Sequence, residues 1–158
     1  MQTLSPIESG FTLPELLVVV VVLGILASVG AGGFQSLIQS QQAKSASFEL
    51  FSSLSLARSA AIKRNDSVTL TPIDATNWGK GWTISSAAGT IKSQSELKKI
   101  VISQGSNSIV YVPTGRAQVS PPPFLLDVST NPTENARCIK IELSGMPRMY
   151  KPVNGTCT

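Results

Sequence analysis

The sequence predicts an α+β fold, a long N-terminal α-helix packed against an antiparallel β-sheet head. Three observations carry this expectation. Residues 16–34 hold no charge, and Ser28 is their one polar side chain. Leu50, Leu54, Ala57 and Ala61 then recur at helical spacing. After Ser67 the apolar pattern changes to period two. The 158 residues suit one compact domain with an appendage. With 42% hydrophobic and 14% charged residues the composition argues against disorder. There is no histidine, which excludes Ser-His-Asp and Cys-His catalysis and His-ligated metals. Two cysteines are too few for a four-thiolate metal site. The net charge of +4 permits an acidic partner without demanding one.

The uncharged run approaches the roughly 20 residues that a helix needs to cross a bilayer core. Its valines, five in a row from Val18 to Val22, form helices poorly in water. In lipid the backbone must satisfy itself, and a helix does so. A secretory signal peptide fits poorly, because residues 1–10 contain Glu8 and no Lys or Arg. A plain single-pass anchor is the alternative. Glu15 is the discriminating residue, since an acid at the mouth of an apolar run is costly and marks a function or a partner. One local role is visible: Thr12 to Glu15 reads as a capping box, with Thr12 as N-cap, Pro14 in the first turn and Glu15 at N3.

Gly24, Ser28 and Gly32 are four residues apart, a small-residue stripe that would let another helix approach closely. The alternative is glycine merely tolerated, as in many membrane helices. Beyond Gln35 the helical pattern continues, at first polar through Ser36, Gln39, Gln41, Gln42 and Lys44, then with the apolar stripe and Phe51 beside it. Asn65 and Asp66 are a stop signal. A helix over residues 13–64 would be roughly 75 Å long, a rod protruding from a head.

In the head, residues 68–72 and 82–85 alternate. Residues 100–103 and 109–112 flank a Gly/Asn/Ser turn and read as a hairpin. Residues 124–128 form a further candidate strand. Residues 137–143 place Ile139, Ile141 and Leu143 on one face and Lys140 and Glu142 on the other, with Met149 and Tyr150 returning beside them. Trp78 and Trp82 read as core or rim packing next to a glycine turn. Gly79-Lys80-Gly81 lacks the spacing of a phosphate-binding loop.

Gly10-Phe11-Thr12-Leu13-Pro14-Glu15-Leu16-Leu17 resembles the processing site of type IV prepilins and type II secretion pseudopilins. The residues Trp78-Gly79-Lys80-Gly81-Trp82, Val112-Pro113-Thr114-Gly115, Cys138-Ile139-Lys140-Ile141 and Ser144-Gly145-Met146-Pro147-Arg148 further resemble the GspH/FimT group of minor pilins and pseudopilins. The resemblance implies a leader peptide over residues 1–10 and cleavage by prepilin peptidase between Gly10 and Phe11, with N-methylation of Phe11. It implies a transmembrane and assembly helix over 11–34, an amphipathic stem over 35–66 and a β-rich globular head over 67–158. Glu15 would neutralise the terminal amine of a neighbouring pilin or pseudopilin subunit. Opposite charges attract strongly in a low-dielectric medium, and each alone would be expensive there. This leader departs from the family in carrying no Lys or Arg. The implied location is the bacterial inner membrane, single-pass, with the head in the periplasm and incorporation into a pilus or pseudopilus.

That location is oxidising, so Cys138 and Cys157 are expected to form a disulfide rather than two free thiols. The bridge would close about 20 residues and contribute roughly 3 kcal/mol on the loop-entropy argument. Some members of the group bind DNA through a C-terminal Gly-Arg-x-Arg pattern. Here that stretch is Gly145-Met146-Pro147-Arg148, so only Arg148 carries over. Arg137, Lys140, Arg148 and Lys151, with Tyr150 among them, are the candidate DNA contacts. The alternative is a solvated strand face. A structural subunit is thus expected, with no enzymatic activity, catalytic residue, metal or cofactor.

Overall fold

The structure is a computed structural model; it describes residues 12–128 and 134–157, apart from the side chains of residues 27–33. Gly10 and Phe11 lie outside the described residues, as do the side chains at Ser28 and Gly32. The chain divides into two compact units, Met1–Ser36 and Leu37–Thr158. Helix α1 runs Leu13–Arg64, 52 residues, with the bounds the sequence predicts.

In the first unit Thr12 is the N-cap: its carbonyl accepts from the N–H groups of Glu15 at 3.1 Å and Leu16 at 3.2 Å. The apolar side chains that follow, Leu16 to Leu26, are exposed. Among the described residues no helix is long and apolar enough to cross a membrane. The span expected over 11–34 includes Phe11 and the side chains of residues 27–33, which lie outside the described set.

In the second unit the stripe Leu50, Leu54, Ala57 and Ala61 is fully buried. Each leucine there contributes about 1.5–3 kcal/mol by leaving water. Phe51 packs half-buried beside it. The helix ends in a Schellman motif. The Asp66 N–H bonds to the Ala61 carbonyl and the Asn65 N–H to that of Ile62, both at 3.3 Å, with Asn65 at φ 50°.

Eight strands follow: β1 Val68–Asp74, β2 Asn77–Ser86, β3 Gly89–Gln94, β4 Val101–Gln104, β5 Ile109–Tyr111, β6 Phe124–Asp127, β7 Arg137–Ile141 and β8 Pro147–Tyr150. They make two four-stranded antiparallel sheets, ordered β3-β2-β1-β5 and β4-β6-β7-β8. One face of each meets the helix stripe in a shared core. Val68, Leu70, Trp82, Ile84, Ile109 and Tyr111 come from the first sheet, and Ile102, Phe124, Leu126, Ile139 and Ile141 from the second. Trp78 meets the Phe124 ring edge-on at a centroid distance of 5.0 Å, so the tryptophans are core residues, as expected.

The expected hairpin of residues 100–103 and 109–112 does not form. β4 pairs with β6 and β5 with β1, in different sheets. The Trp78 indole N–H donates to the Ser106 carbonyl at 2.9 Å and pins the connection as it crosses between sheets. Both segments alternate correctly, but alternation does not name a partner. Leu143 is also corrected: β7 ends at Ile141, the chain turns at once, and Leu143 is 53% exposed. Strand β3, GTIKSQ, was not expected, because it is polar and only partly covered and so carries no period-two signal.

Cys138 and Cys157 are disulfide-bonded, as expected. Cys138 belongs to a second, smaller cluster with Leu125 and Ala136, against which Tyr150 and Cys157 pack. The bridge therefore holds the C-terminal tail over the face of the second sheet that points away from the helix.

Candidate functional site

Three groups of residues can be placed, two of them predicted from the sequence. The first is the start of α1. The Glu15 carboxylate accepts from the Thr12 N–H and the Thr12 hydroxyl, each at 3.4 Å. These are long, weak bonds, and the carboxylate remains exposed with acceptor capacity to spare. The acid also sits at the positive end of the helix dipole. Gly24, in the expected small-residue stripe, has nothing within 4 Å of where a Cβ would be.

The second group is the C-terminal basic block. Registry puts Lys140 of β7 directly opposite Arg148 of β8, and Cys138 opposite Tyr150. Lys140, Arg148 and Tyr150 thus share the outward face of the second sheet. Like charges directly opposite are destabilising, so nothing about folding asks for this pair. Arg137 is opposite Leu126 and belongs to the other face. Its guanidinium donates to the carbonyls of Asn135 at 2.9 Å and Ala136 at 2.8 Å. Lys151 is exposed just beyond β8. The structure therefore gathers two of the four cations.

In the third group sequence reasoning singled out the segments 112–115 and 144–148 but missed Arg58 and the contact between the two turns. Residues 112–116 and 142–146 form turns of one design. Gly115 N–H bonds to the Val112 carbonyl, and Gly145 N–H to that of Glu142, both at 2.8 Å. Val112 N–H returns to Arg116 at 3.0 Å, and Glu142 N–H to Met146 at 3.2 Å. Both glycines are left-handed, at φ 76° and 80°. The turns touch: a Cβ on Gly145 would lie 2.0 Å from the Gly115 carbonyl oxygen. Arg58 of α1 ties both down, with Nε donating to the Gly115 carbonyl at 2.9 Å and Nη2 to that of Ser144 at 3.4 Å. The available signal was a lone arginine beside Ala57 on the buried stripe, with two x-x-Gly turns following strands.

Near Arg58 the Tyr111 ring is fully buried and its hydroxyl has no hydrogen-bond partner among the described residues. Burial pushes the phenol well above its ordinary value, an effect that the charge of Arg58 partly offsets. The unfolded chain releases this proton near pH 10 and the folded chain does not. The group's stability contribution is complete below pH 10 and declines as pH rises beyond it. Tyr111→Phe removes an orphaned hydroxyl whose burial costs about 1–3 kcal/mol. Urea titrations of the variant should show unchanged or higher stability at pH 7 and a smaller alkaline decline. A loss at pH 7 would mean that the hydroxyl has a partner.

The family profile described as type II transport protein GspH matches residues 46–145. The chain belongs to the GspH family. The match runs from the buried helix stripe through the first turn to Gly145 of the second. A second profile, the prokaryotic N-terminal methylation motif, matches residues 7–31, which include Gly10, Phe11 and Glu15. Among solved structures the chain is similar to the type IV minor pilin FimU of Pseudomonas aeruginosa. The identity is 18% over 71% of this chain and 93% of that one, with a TM-score of 0.61. It is also similar to the minor pseudopilin EpsH from the type 2 secretion system of Vibrio cholerae, at 15% identity over 70% of this chain and 97% of that one, with a TM-score of 0.50. These likenesses show the shared fold, a long helix against antiparallel sheets. No curated protein matches the sequence.

Proposed function

We propose that the chain is a filament subunit, a minor pilin or pseudopilin trimmed between Gly10 and Phe11 by prepilin peptidase. The trimmed subunit joins, and helps to prime, a type IV pilus or a type II secretion pseudopilus. Before assembly it is held in the bacterial inner membrane by residues 11–34, with the head in the periplasm. The observation that carries this reading is Glu15, an exposed acid at the head of an exposed apolar helix. An exposed acid in that place serves no fold of its own chain beyond a weak cap. It suits a subunit whose apolar helix is covered by others and whose acid meets their terminal amine. The methylation motif over the same residues supports it. Intact-mass measurement of the native protein tests it. The expected species lacks residues 1–10 and carries one methyl group on Phe11; a chain that keeps those ten residues in cells with active peptidase removes the reading.

One observation favours a second reading, a DNA-binding minor pilin acting in DNA uptake. Lys140, Arg148 and Tyr150 share an outward face, where two cations could hold phosphates and the ring could stack on a base. Losing the leader removes Glu8, leaving 13 basic residues against 8 acidic ones. Binding of single- and double-stranded DNA by the detergent-solubilised protein should weaken steeply with salt and fall several-fold in Arg148→Ala. Absence of binding at low salt removes this reading and leaves the first intact.

A further inference from the structure

On the far side of Arg58 from the core an open groove of about 480 Å³ runs between α1 and the second turn, lined by Phe51, Ser55, Arg58, Ile62, Lys63 and Met146 among others. Its floor is apolar, and Ile62 and Met146 are each about half exposed, at 49% and 50%. No Asp or Glu lines it. Neither Arg58 nor Lys63 has an acid partner among the described residues. Arg58 is half-buried, and its bonds go to two neutral carbonyls. A guanidinium carries five N–H donors in a rigid fork, so these two bonds fix its plane and leave three donors to offer. A partly desolvated cation without a counter-charge is a standing electrostatic cost, and a carboxylate is the ligand that relieves it with two parallel hydrogen bonds.

We propose that this groove receives a neighbouring filament subunit through a segment that presents an Asp or Glu beside an apolar side chain. The carboxylate meets Arg58, with Lys63 adding charge, and the apolar side chain covers Phe51, Ile62 and Met146. Charge complementarity selects the occupant: the groove offers two cations and no acid, so a basic or purely apolar segment would leave Arg58 uncompensated. The inference rests on the reading of the chain as a filament subunit and adds the surface by which its head engages the next one.

Photo-crosslinking of the full-length protein, in cells that carry its filament machinery, tests it. A benzophenone amino acid at Ser59 should join predominantly to one peptide of a co-resident filament subunit, with an acid next to an apolar residue. The same probe at Thr90, on polar strand β3, should join about tenfold less. Ser55→Asp places a carboxylate one helical turn before Arg58 and supplies the missing charge within the chain. It should reduce the Ser59 crosslink about fivefold or more without lowering thermal stability, whereas Ser55→Ala should not. Crosslinks no stronger than at Thr90, a captured peptide without an acid, capture of nucleic acid or lipid instead, or indifference to Ser55→Asp each overturns the proposal. Recovery in sheared filaments separates the two levels. Where the protein is recovered in them and the groove is silent, the groove inference alone fails; where it is absent from them, the subunit reading fails.

Discussion

Glu15→Ala is expected to reduce recovery of the protein in sheared filaments at least about tenfold while leaving the head folded. A carboxylate and an amine at about 4 Å attract by about 4 kcal/mol at an effective dielectric near 20, so a tenfold loss is a conservative expectation. The rival explanation is local. Glu15 also caps α1 by accepting from Thr12, and losing a cap costs about 0.5–2 kcal/mol. Glu15→Gln distinguishes the two, because glutamine serves at N3 of a capping box but carries no charge. Failure of both variants to enter filaments supports pairing with an amine. Rescue by glutamine would reduce Glu15 to a cap and remove the central argument for a filament subunit.

Gly145→Ala is expected to destabilise the head by about 2–6 kcal/mol, the largest stability effect anticipated from a single methyl group. Two terms add. A non-glycine residue held near φ 80° costs about 1–3 kcal/mol. The new methyl would also meet the Gly115 carbonyl at 2.0 Å, and relief of such overpacking costs typically about 1–3 kcal/mol more. The struck atom is backbone and is already engaged by Arg58, so it cannot swing aside as a side chain tip would. Denaturant titration should show a lowered midpoint with an unchanged slope. A variant as stable as the parent would mean that the two turns are not in contact.

The parts that were legible in the sequence are those with a single period and a local stop. The helix bounds followed from its capping residues and from Asn65, whose left-handed backbone closes the Schellman motif. The buried stripe followed from i, i+4, i+7 spacing. The bridge between Cys138 and Cys157 followed from the oxidising compartment that the resemblance implies. Strand pairing was not legible. Ile102 and Ile109 both face the core, as alternation required, but whether two such segments pair with each other depends on distant strands, here β6 and β1. β3 escaped because a polar, only partly covered edge strand needs no strict apolar period. Leu143 misled because alternation outlasts the strand by a turn. Arg58 escaped for a related reason: its carbonyl partners lie 57 and 86 residues away, and nothing near it in the chain announces them.

Both tryptophans of the chain lie in the core of the head, Trp82 fully enclosed and Trp78 at 4% exposure, and none occurs before residue 78. Their emission is therefore a built-in optical gauge of one region alone. Native material should fluoresce at short wavelength, and unsealing the core should move the band to the red. Chemistry at the first turn of α1, including removal of its acid, leaves that emission unchanged. A single fluorimeter trace thus sorts variants that lose assembly from variants that lose their fold.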